Sequence, residues 1–206
     1  MNVDWTFTIV VLGALVPSVI LHEVSHGVVA LAFGDDTAKR AGRLTLNPIP
    51  HIDPFGTVIL PALLALGGLG AFGYAKPVPV QPGRLRSPRR HSLWVSLVGP
   101  AVNIVLALLA AAAYRLVRPE PGSTESLVIV VTGQVNVLLA VFNLLPIPPL
   151  DGSALVERVL PDSWWPAWQR VKQWSFGVLL LLVLVVPDRT LSPVFRWAFD
   201  LWVELL

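Results

Sequence analysis

The most constraining feature of the sequence is a group of ionisable side chains inside an apolar segment. Residues 16–33 read VPSVILHEVSHGVVALAF, an apolar stretch interrupted by His22, Glu23 and His26. A charged side chain at the centre of a bilayer costs about 2.5 kcal/mol or more, so such residues mark a functional site by default. The segment is therefore predicted to be a membrane helix that carries chemistry.

Composition extends this prediction to the whole chain. Of its 206 residues, 54% are hydrophobic and only 14% are charged, whereas globular proteins average about 25% charged residues. Five apolar segments approach the length needed to cross a bilayer: 5–33, 55–75, 92–114, 126–147 and 171–187. We expect a single membrane-embedded domain over 1–206, in contact with lipid and with no nucleic-acid role. The absence of cysteine excludes disulfides and thiolate zinc sites.

The fold class predicted is an all-α polytopic membrane protein with about four spanning helices. The second segment contains Pro61 and many glycines, which favour a re-entrant segment over a straight span. A short hairpin or loop is expected between the first two segments, and a helix is expected to begin near Ser92.

The last 16 residues have a different pattern. In LSPVFRWAFDLWVELL, the charged residues Arg196, Asp200 and Glu204 recur at every fourth position. One polar stripe opposite aromatic side chains is typical of a helix that lies in the membrane interface. Ser192 and Pro193 resemble its start.

Helix geometry explains why two histidines and a glutamate share the first segment. Residues i and i+4 lie on one helix face, so His22 and His26 can offer imidazole nitrogens to one Zn²⁺. Zinc lowers the pKa of bound water, and Glu23 can take up the released proton. The alternative is that both histidines are buried and hydrogen-bonded to neighbouring groups, with the glutamate paired to one of them, and that all three serve only helix packing.

A catalytic zinc takes three protein ligands and keeps one position open. The candidates for the third ligand are His51, Asp53, His91 and Asp151. Asp151 is favoured because the prolines before it force extended backbone that can turn a carboxylate toward the bundle, while Gly152 allows close approach. Asp151 could equally be the N-cap of GSALVERVL, where Ser153 competes for that position.

Three segments together carry a family resemblance. HEVSHG at 22–27, GPAVN at 99–103 and NLLPIPPLDG at 143–152 resemble the signatures of the site-2 protease family of intramembrane zinc metalloproteases. GRLTLNPIPHIDPFGT also resembles a loop of its compact bacterial branch. The resemblance implies that His22, His26 and Asp151 bind one Zn²⁺ per chain and that Glu23 is the general base and acid.

The same resemblance implies a substrate and a location. The substrate would be a transmembrane segment of another membrane protein, cleaved in regulated intramembrane proteolysis in a bacterial cell membrane. Many relatives carry a PDZ or cystathionine-synthase-like domain, and we expect neither in a chain of this length.

Three asparagines are candidates for further roles. The resemblance assigns Asn143 to substrate or oxyanion contact, a role that suits an amide donor. Asn136 lies two turns earlier on the same face, and an interhelical hydrogen bond is favoured for it. Asn103 is expected to serve close helix packing near the site, without a catalytic role.

His51 and Asp53 flank a proline-rich turn and remain possible accessory residues. They could act as a lid, support the metal ligands or contact substrate. They could equally order their own loop.

Topology follows from bringing the ligands together. His22 lies near the end of the first helix and Asp151 follows the fourth segment, so a re-entrant second segment leaves both on one side. This arrangement places most Lys and Arg residues on that side, which predicts a cytoplasmic active site and an external N-terminus.

Two other function classes fit some of these features. A divalent-metal transporter could also hold histidines and aspartates at mid-membrane, but it would not need Glu23 as a base. A noncatalytic membrane scaffold would keep the fold without needing zinc.

Overall fold

The computed structural model describes residues 4–66, 73–164 and 188–206, together with residues 166–168, 170–172, 174, 175, 177 and 179. The main helices are α1 (Trp5–Ala32), α2 (Thr37–Arg40), α3 (Leu60–Leu66), α4 (Pro88–Val117), α5 (Thr124–Leu144), α6 (Ser153–Val159) and α7 (Asp188–Val203). No β-strand occurs in these parts of the chain. The prediction of an all-helical protein is therefore confirmed for them.

Three helices are long and apolar enough to cross a membrane. These are α1 with 28 residues, α4 with 30 and α5 with 21, and their mean hydropathies lie between 2.0 and 2.2. At 1.5 Å per residue even α5 is about 32 Å long, which matches the hydrocarbon thickness of a bilayer. The chain is thus an integral membrane protein. Most of the predicted fourth span, 171–187, lies outside the described residues.

The three long helices pack side by side. α4 contacts both α1 and α5, and α1 also contacts α5. Small buried residues such as Gly99, Ala107 and Ala111 line α4 and let neighbouring backbones approach closely, as is common in membrane bundles. Because a six-residue turn joins α4 to α5, these two helices run antiparallel. The N-terminal end of α4 and the C-terminal end of α5 therefore lie at the same end of the bundle.

The chain between α1 and α4 begins and ends at that same end. The carboxylate of Asp35 accepts hydrogen bonds from the Thr37 hydroxyl at 2.5 Å and from the Gln81 N–H at 2.6 Å. The Arg86 N–H donates to the carbonyl of Phe33 at 3.0 Å. Burial alone would raise the pKa of Asp35, but these hydrogen bonds hold it below its usual value. An ionised Asp35 therefore ties the two ends of this connection together.

The connection itself consists of loops and short helical pieces. After α2 come a 3₁₀ turn, Ile49–His51, and a π-helical stretch, Pro54–Ile59, that continues into α3. The predicted hairpin or loop is a loop. Residues 67–72 of the predicted re-entrant segment lie outside the described residues.

Two predicted helix starts were wrong. The third predicted segment was expected to begin near Ser92, but α4 begins at Pro88. Proline suits the first helical position because its missing N–H has no helical partner there. The last helix was expected to begin at Ser192 and Pro193, but residues 188–191 are already helical and Pro193 lies inside α7.

The C-terminal helix is anchored to the bundle by one aromatic side chain. Trp202 is 3% exposed, and its indole N–H donates to the carbonyl of Ala107 at 2.8 Å. It packs against Gly133 of α5 so closely that a Cβ there would lie 1.8 Å from the indole ring. The helix predicted for this region is present, and α7 docks on both α4 and α5.

Candidate metal centre

The first helix presents two imidazoles to the bundle interior. His22 and His26 are one turn apart on α1, and both are buried. Their rings meet edge to face, with centroids 4.7 Å apart. The i, i+4 spacing thus places both imidazoles on the face of α1 that packs against α4.

The turn after α5 brings a carboxylate to the same point. Oδ2 of Asp151 lies 3.1 Å from Nε2 of His22 and 3.3 Å from Nε2 of His26. Gly152 makes this approach possible because its N–H donates to the carbonyl of Asn143 at 2.6 Å, and a Cβ would lie 2.2 Å from the carbonyl oxygen of Leu144. The N-cap of α6 is Gly152 and no side chain caps it. Asp151 therefore faces the histidines and does not cap the helix.

The hydrogen bond at Nδ1 of each imidazole determines which ring nitrogen carries the proton. Nδ1 of His26 lies 2.6 Å from the carbonyl oxygen of Val95, which can only accept a hydrogen bond. Nδ1 of His22 lies 2.6 Å from Oδ1 of Asn103. Both Nδ1 atoms are therefore donors, and in a neutral imidazole this leaves a lone pair on Nε2.

This arrangement fits a metal ion. The carboxyl group of Asp151 faces the Nε2 atoms of both imidazoles. Its Oδ2 is buried and accepts no hydrogen bond from any described residue outside this cluster. When both imidazoles are neutral, three lone-pair atoms, all within 4.8 Å of one another, face a single point, where a cation would interact favourably with each of them. Two imidazoles and a carboxylate are a donor set that suits catalytic zinc.

The GPAVN segment supplies the space and the support that the imidazoles need. A Cβ on Gly99 would lie 2.5 Å from Nε2 of His26 and 2.7 Å from Cε1 of His22. Asn103, one turn later, accepts the hydrogen bond from His22. Sequence reasoning gave Asn103 only a packing role and missed this contact. Its signal was the glycine-to-asparagine spacing of four, which places both residues on one helix face.

Glu23 contacts the proline-rich segment that precedes α4. Its Oε2 accepts a hydrogen bond from the Val78 N–H at 2.7 Å. Two residues earlier, the Lys76 N–H donates to the carbonyl of His51, and the Lys76 carbonyl accepts from Arg43 at 2.6 Å. The segment is thus held against α1 beside the metal cluster, with a carboxylate oxygen of Glu23 as one of its anchors.

The other candidate residues lie outside the cluster. The amide nitrogen of Asn143 donates to the carbonyl of Leu139 at 3.0 Å. Asp53 caps the π-helical stretch by accepting from the Gly56 N–H at 2.7 Å, and His51 donates from Nε2 to the carbonyl of Thr45 at 3.0 Å. Both residues order their own loop. His91 accepts from the Ser87 N–H and stacks on Phe33.

Asn136 makes the interhelical hydrogen bonds that were favoured for it. Its amide nitrogen donates to the Ser18 hydroxyl of α1 at 2.9 Å, and its Oδ1 accepts from Asn103 of α4 at 2.8 Å. All three long helices are therefore linked through one buried amide.

Sequence comparisons identify relatives. The family described as Peptidase family M50 matches residues 7–121 and 121–186. The chain is 40% identical to "Putative zinc metalloprotease YwhC" of Bacillus subtilis (strain 168), over 84% of this chain and 78% of that protein. It is 37% identical to "Putative zinc metalloprotease Rip2" of Mycolicibacterium smegmatis, over 94% of this chain and 74% of that protein. It is 38% identical to the "Putative zinc metalloprotease Rip2" of Mycobacterium tuberculosis (strain H37Rv), over 95% of this chain and 74% of that protein. No solved structure matches at a comparable level.

The geometry predicts which substitutions remove the metal. We expect His22→Ala, His26→Ala and Asp151→Ala each to lower the zinc content of the purified protein, because each removes one of three donors. Glu23→Gln is expected to retain zinc, since its carboxylate bonds to the Val78 N–H and not to the cluster. Elemental analysis of the purified variants measures this. Full zinc occupancy in Asp151→Ala would redirect the search for the third ligand to His51 or Asp53.

Gly99 gives a second prediction, with a matched control. We expect Gly99→Ala to reduce zinc binding strongly, because the added methyl group overlaps both imidazoles. Gly13→Ala adds the same methyl group to α1, where a Cβ meets nothing within 4 Å. Gly13→Ala should therefore bind zinc as the unmodified protein does. Equal zinc affinity in the two variants would show that the close approach at Gly99 does not support the site.

Proposed function

The chain belongs to peptidase family M50, and on that premise we propose that it is an intramembrane endopeptidase. Membership makes it a zinc metalloprotease. The proposal adds that it hydrolyses peptide bonds within or near transmembrane segments of other membrane proteins, in regulated intramembrane proteolysis. It also assigns the whole chain, 1–206, to one catalytic domain.

One observation carries this proposal. His22 and His26 lie within α1 and Asp151 lies in the turn after α5, and both helices are apolar and long enough to span a bilayer. A peptide bond must therefore reach the bundle at membrane depth to meet the metal ligands. A hydrophobic segment of another membrane protein satisfies that requirement.

The proposed division of labour follows the positions of the side chains. His22, His26 and Asp151 would hold the zinc ion, which when bound supplies an activated water and polarises the scissile carbonyl. Glu23 is next to His22 in sequence and holds a carboxylate oxygen beside the cluster, so we assign it to accept the proton and deliver it to the leaving amine. A helical substrate must unwind locally, because its amides are otherwise hydrogen-bonded.

Asn143 is assigned to substrate or oxyanion contact on the strength of the NLLPIPPLDG resemblance. Its amide nitrogen donates to Leu139 in the structure. An amide NH₂ group carries two donors, so the second N–H of Asn143 is the one assigned to the substrate oxygen. Its backbone carbonyl bonds to Gly152, next to Asp151, which places the residue at the turn that carries the proposed third ligand.

Proteolysis tests the proposal directly. We expect the purified protein to cleave a model transmembrane substrate, and we expect a zinc chelator or Glu23→Gln to abolish cleavage. The variant removes the base without removing a proposed ligand, so it separates a protease from a metal transporter. Metal transport into vesicles that persists in Glu23→Gln would favour the transporter. Neither cleavage nor transport in a zinc-loaded protein would favour the scaffold.

We also propose that residues 55–75 are re-entrant and that the active site opens toward the cytoplasm. The hydrogen bonds that join 33–36 to 81–86 support the first point, since they keep both ends of this connection at one end of the bundle. Loop charge supports the second. A re-entrant segment places one group of basic residues on the active-site side: Lys39, Arg40, Arg43, Lys76, Arg84, Arg86, Arg89, Arg90, Arg158, Arg170 and Lys172. Only Arg115, Arg118, Arg189 and Arg196 then remain on the other side, as the positive-inside rule requires.

Cysteine labelling tests this topology in a chain that has no native cysteine. We expect cysteines introduced at Ala41 and Ser87 to react with a membrane-impermeant reagent only from the cytoplasmic face. A cysteine at Arg118, at the end of α4, should react only from the opposite face. Labelling of the first two positions from opposite faces would contradict the re-entrant segment.

A further inference from the structure

We propose that Asn136 and Ser18 are positioning residues for the metal site and that they act on His22 through Asn103. The inference depends on the proposed role of His22 as a metal ligand. Ser18 belongs to α1, Asn103 to α4 and Asn136 to α5. Both asparagines are 0% exposed and Ser18 is 3% exposed. We call the hydrogen-bonded series Ser18, Asn136, Asn103 and His22 the polar relay.

Two groups that can only accept a hydrogen bond from Asn136 fix the orientation of its amide and hence the direction of the relay. The amide nitrogen of Asn136 lies 2.9 Å from the carbonyl oxygen of Thr132, and a carbonyl can only accept. The Ser18 hydroxyl donates its own proton to the carbonyl of Ala14 at 2.7 Å, so toward Asn136 it can only accept. The NH₂ group of Asn136 must therefore face α1 and its own backbone. Its Oδ1 must face α4.

This orientation determines the next two groups. Because Oδ1 of Asn136 is an acceptor, Asn103 must present its NH₂ group to it, at 2.8 Å. Oδ1 of Asn103 then faces Nδ1 of His22 at 2.6 Å, and Nδ1 must carry the proton. The lone pair of His22 is consequently on Nε2, the atom that faces Asp151.

The relay matters because an amide has two nearly isosteric orientations. If Asn103 were reversed, its NH₂ group would face Nδ1 and favour the tautomer that has a lone pair there and a proton on Nε2. That proton would occupy the direction needed for the metal. His26 needs no such device, because the Val95 carbonyl fixes its tautomer directly. The amide of Asn103 can fix the tautomer of His22 only if its own orientation is fixed, and Asn136 does this.

Zinc affinity measured by competition with a chelator tests the relay. We expect Asn136→Leu to weaken zinc binding by about 10- to 100-fold, the range typical for residues that support metal ligands. The matched control is Val137→Ala, the next residue of α5, which is buried against Trp202 and Ala107. It removes packing without touching the relay, so it should lower thermal stability and leave zinc affinity unchanged. Ser18→Ala should weaken zinc binding in the same direction as Asn136→Leu but less, since the Thr132 carbonyl remains.

The Asn136→Leu change in a second background, Asn103→Asp, distinguishes an effect of amide orientation from an effect of helix packing. Asn103→Asp presents an acceptor to His22 whichever way its carboxylate turns, so it no longer depends on Asn136. We expect Asn136→Leu to weaken zinc binding in the natural background and to cause no further loss in Asn103→Asp. Equal losses in the two backgrounds would overturn the inference. A failure of the unmodified protein to bind zinc would instead refute the proposed function.

Nitrogen-15 NMR provides a readout that does not require bound metal. The chain has only four histidines, so histidine-labelled protein gives few imidazole signals. The Nδ1–H form is expected for His22 in the unmodified protein, and a mixture of tautomers is expected in Asn136→Leu or, if that variant does not fold, in Ser18→Ala. An unchanged Nδ1–H form in a folded Asn136→Leu variant would also overturn the inference.

Discussion

The structure depends on one unfavourable juxtaposition. Oδ2 of Asp151 lies 3.1 Å from Nε2 of His22 and 3.3 Å from Nε2 of His26, and with neutral imidazoles all three atoms present lone pairs to one another. A positive charge between them stabilises such a group where water is excluded. The helical bundle supplies the opposing restraint, because α1 holds the histidines while the turn after α5 holds Asp151. The metal site is therefore part of what decides how these helices pack.

α4 contributes no proposed ligand, but it shapes the site. α4 leaves out a side chain at Gly99, where the imidazoles need room, and places acceptors for the two Nδ1 atoms at Val95 and Asn103. Second-layer contacts of this kind orient metal-binding histidines and fix their tautomers. In a membrane they have an added role, because a buried imidazole N–H has no water to satisfy it.

The sequence predicted the parts of the site that depend on local geometry. The spacing of His22 and His26 is a property of any helix, and the apolar segments 5–33, 92–114 and 126–147 correspond to the three long helices. For Asp151, the residues alone did not distinguish a metal ligand from a helix N-cap, and only the motif resemblance favoured the ligand. The reason is that its position depends on the turn between α5 and α6, which local spacing does not specify. The contact between Asn103 and His22 was missed because it depends on how α4 is rotated against α1. The start of α4 was placed about one turn too late, near Ser92 instead of at Pro88. Pro193 was taken as part of a helix start, whereas it lies inside α7.

The proline-rich segment beside Glu23 has N–H donors on one edge only. The N–H groups of Lys76 and Val78 both point toward α1 and its neighbouring loop. Alternate residues of extended backbone point in opposite directions, so Pro77 and Pro79 occupy the other edge, where they have no N–H to offer. A neighbouring polypeptide cannot extend a ladder from that side. The segment is thereby protected against self-association through strand pairing, although it lies at the surface of a protein whose proposed substrates must present unwound backbone nearby.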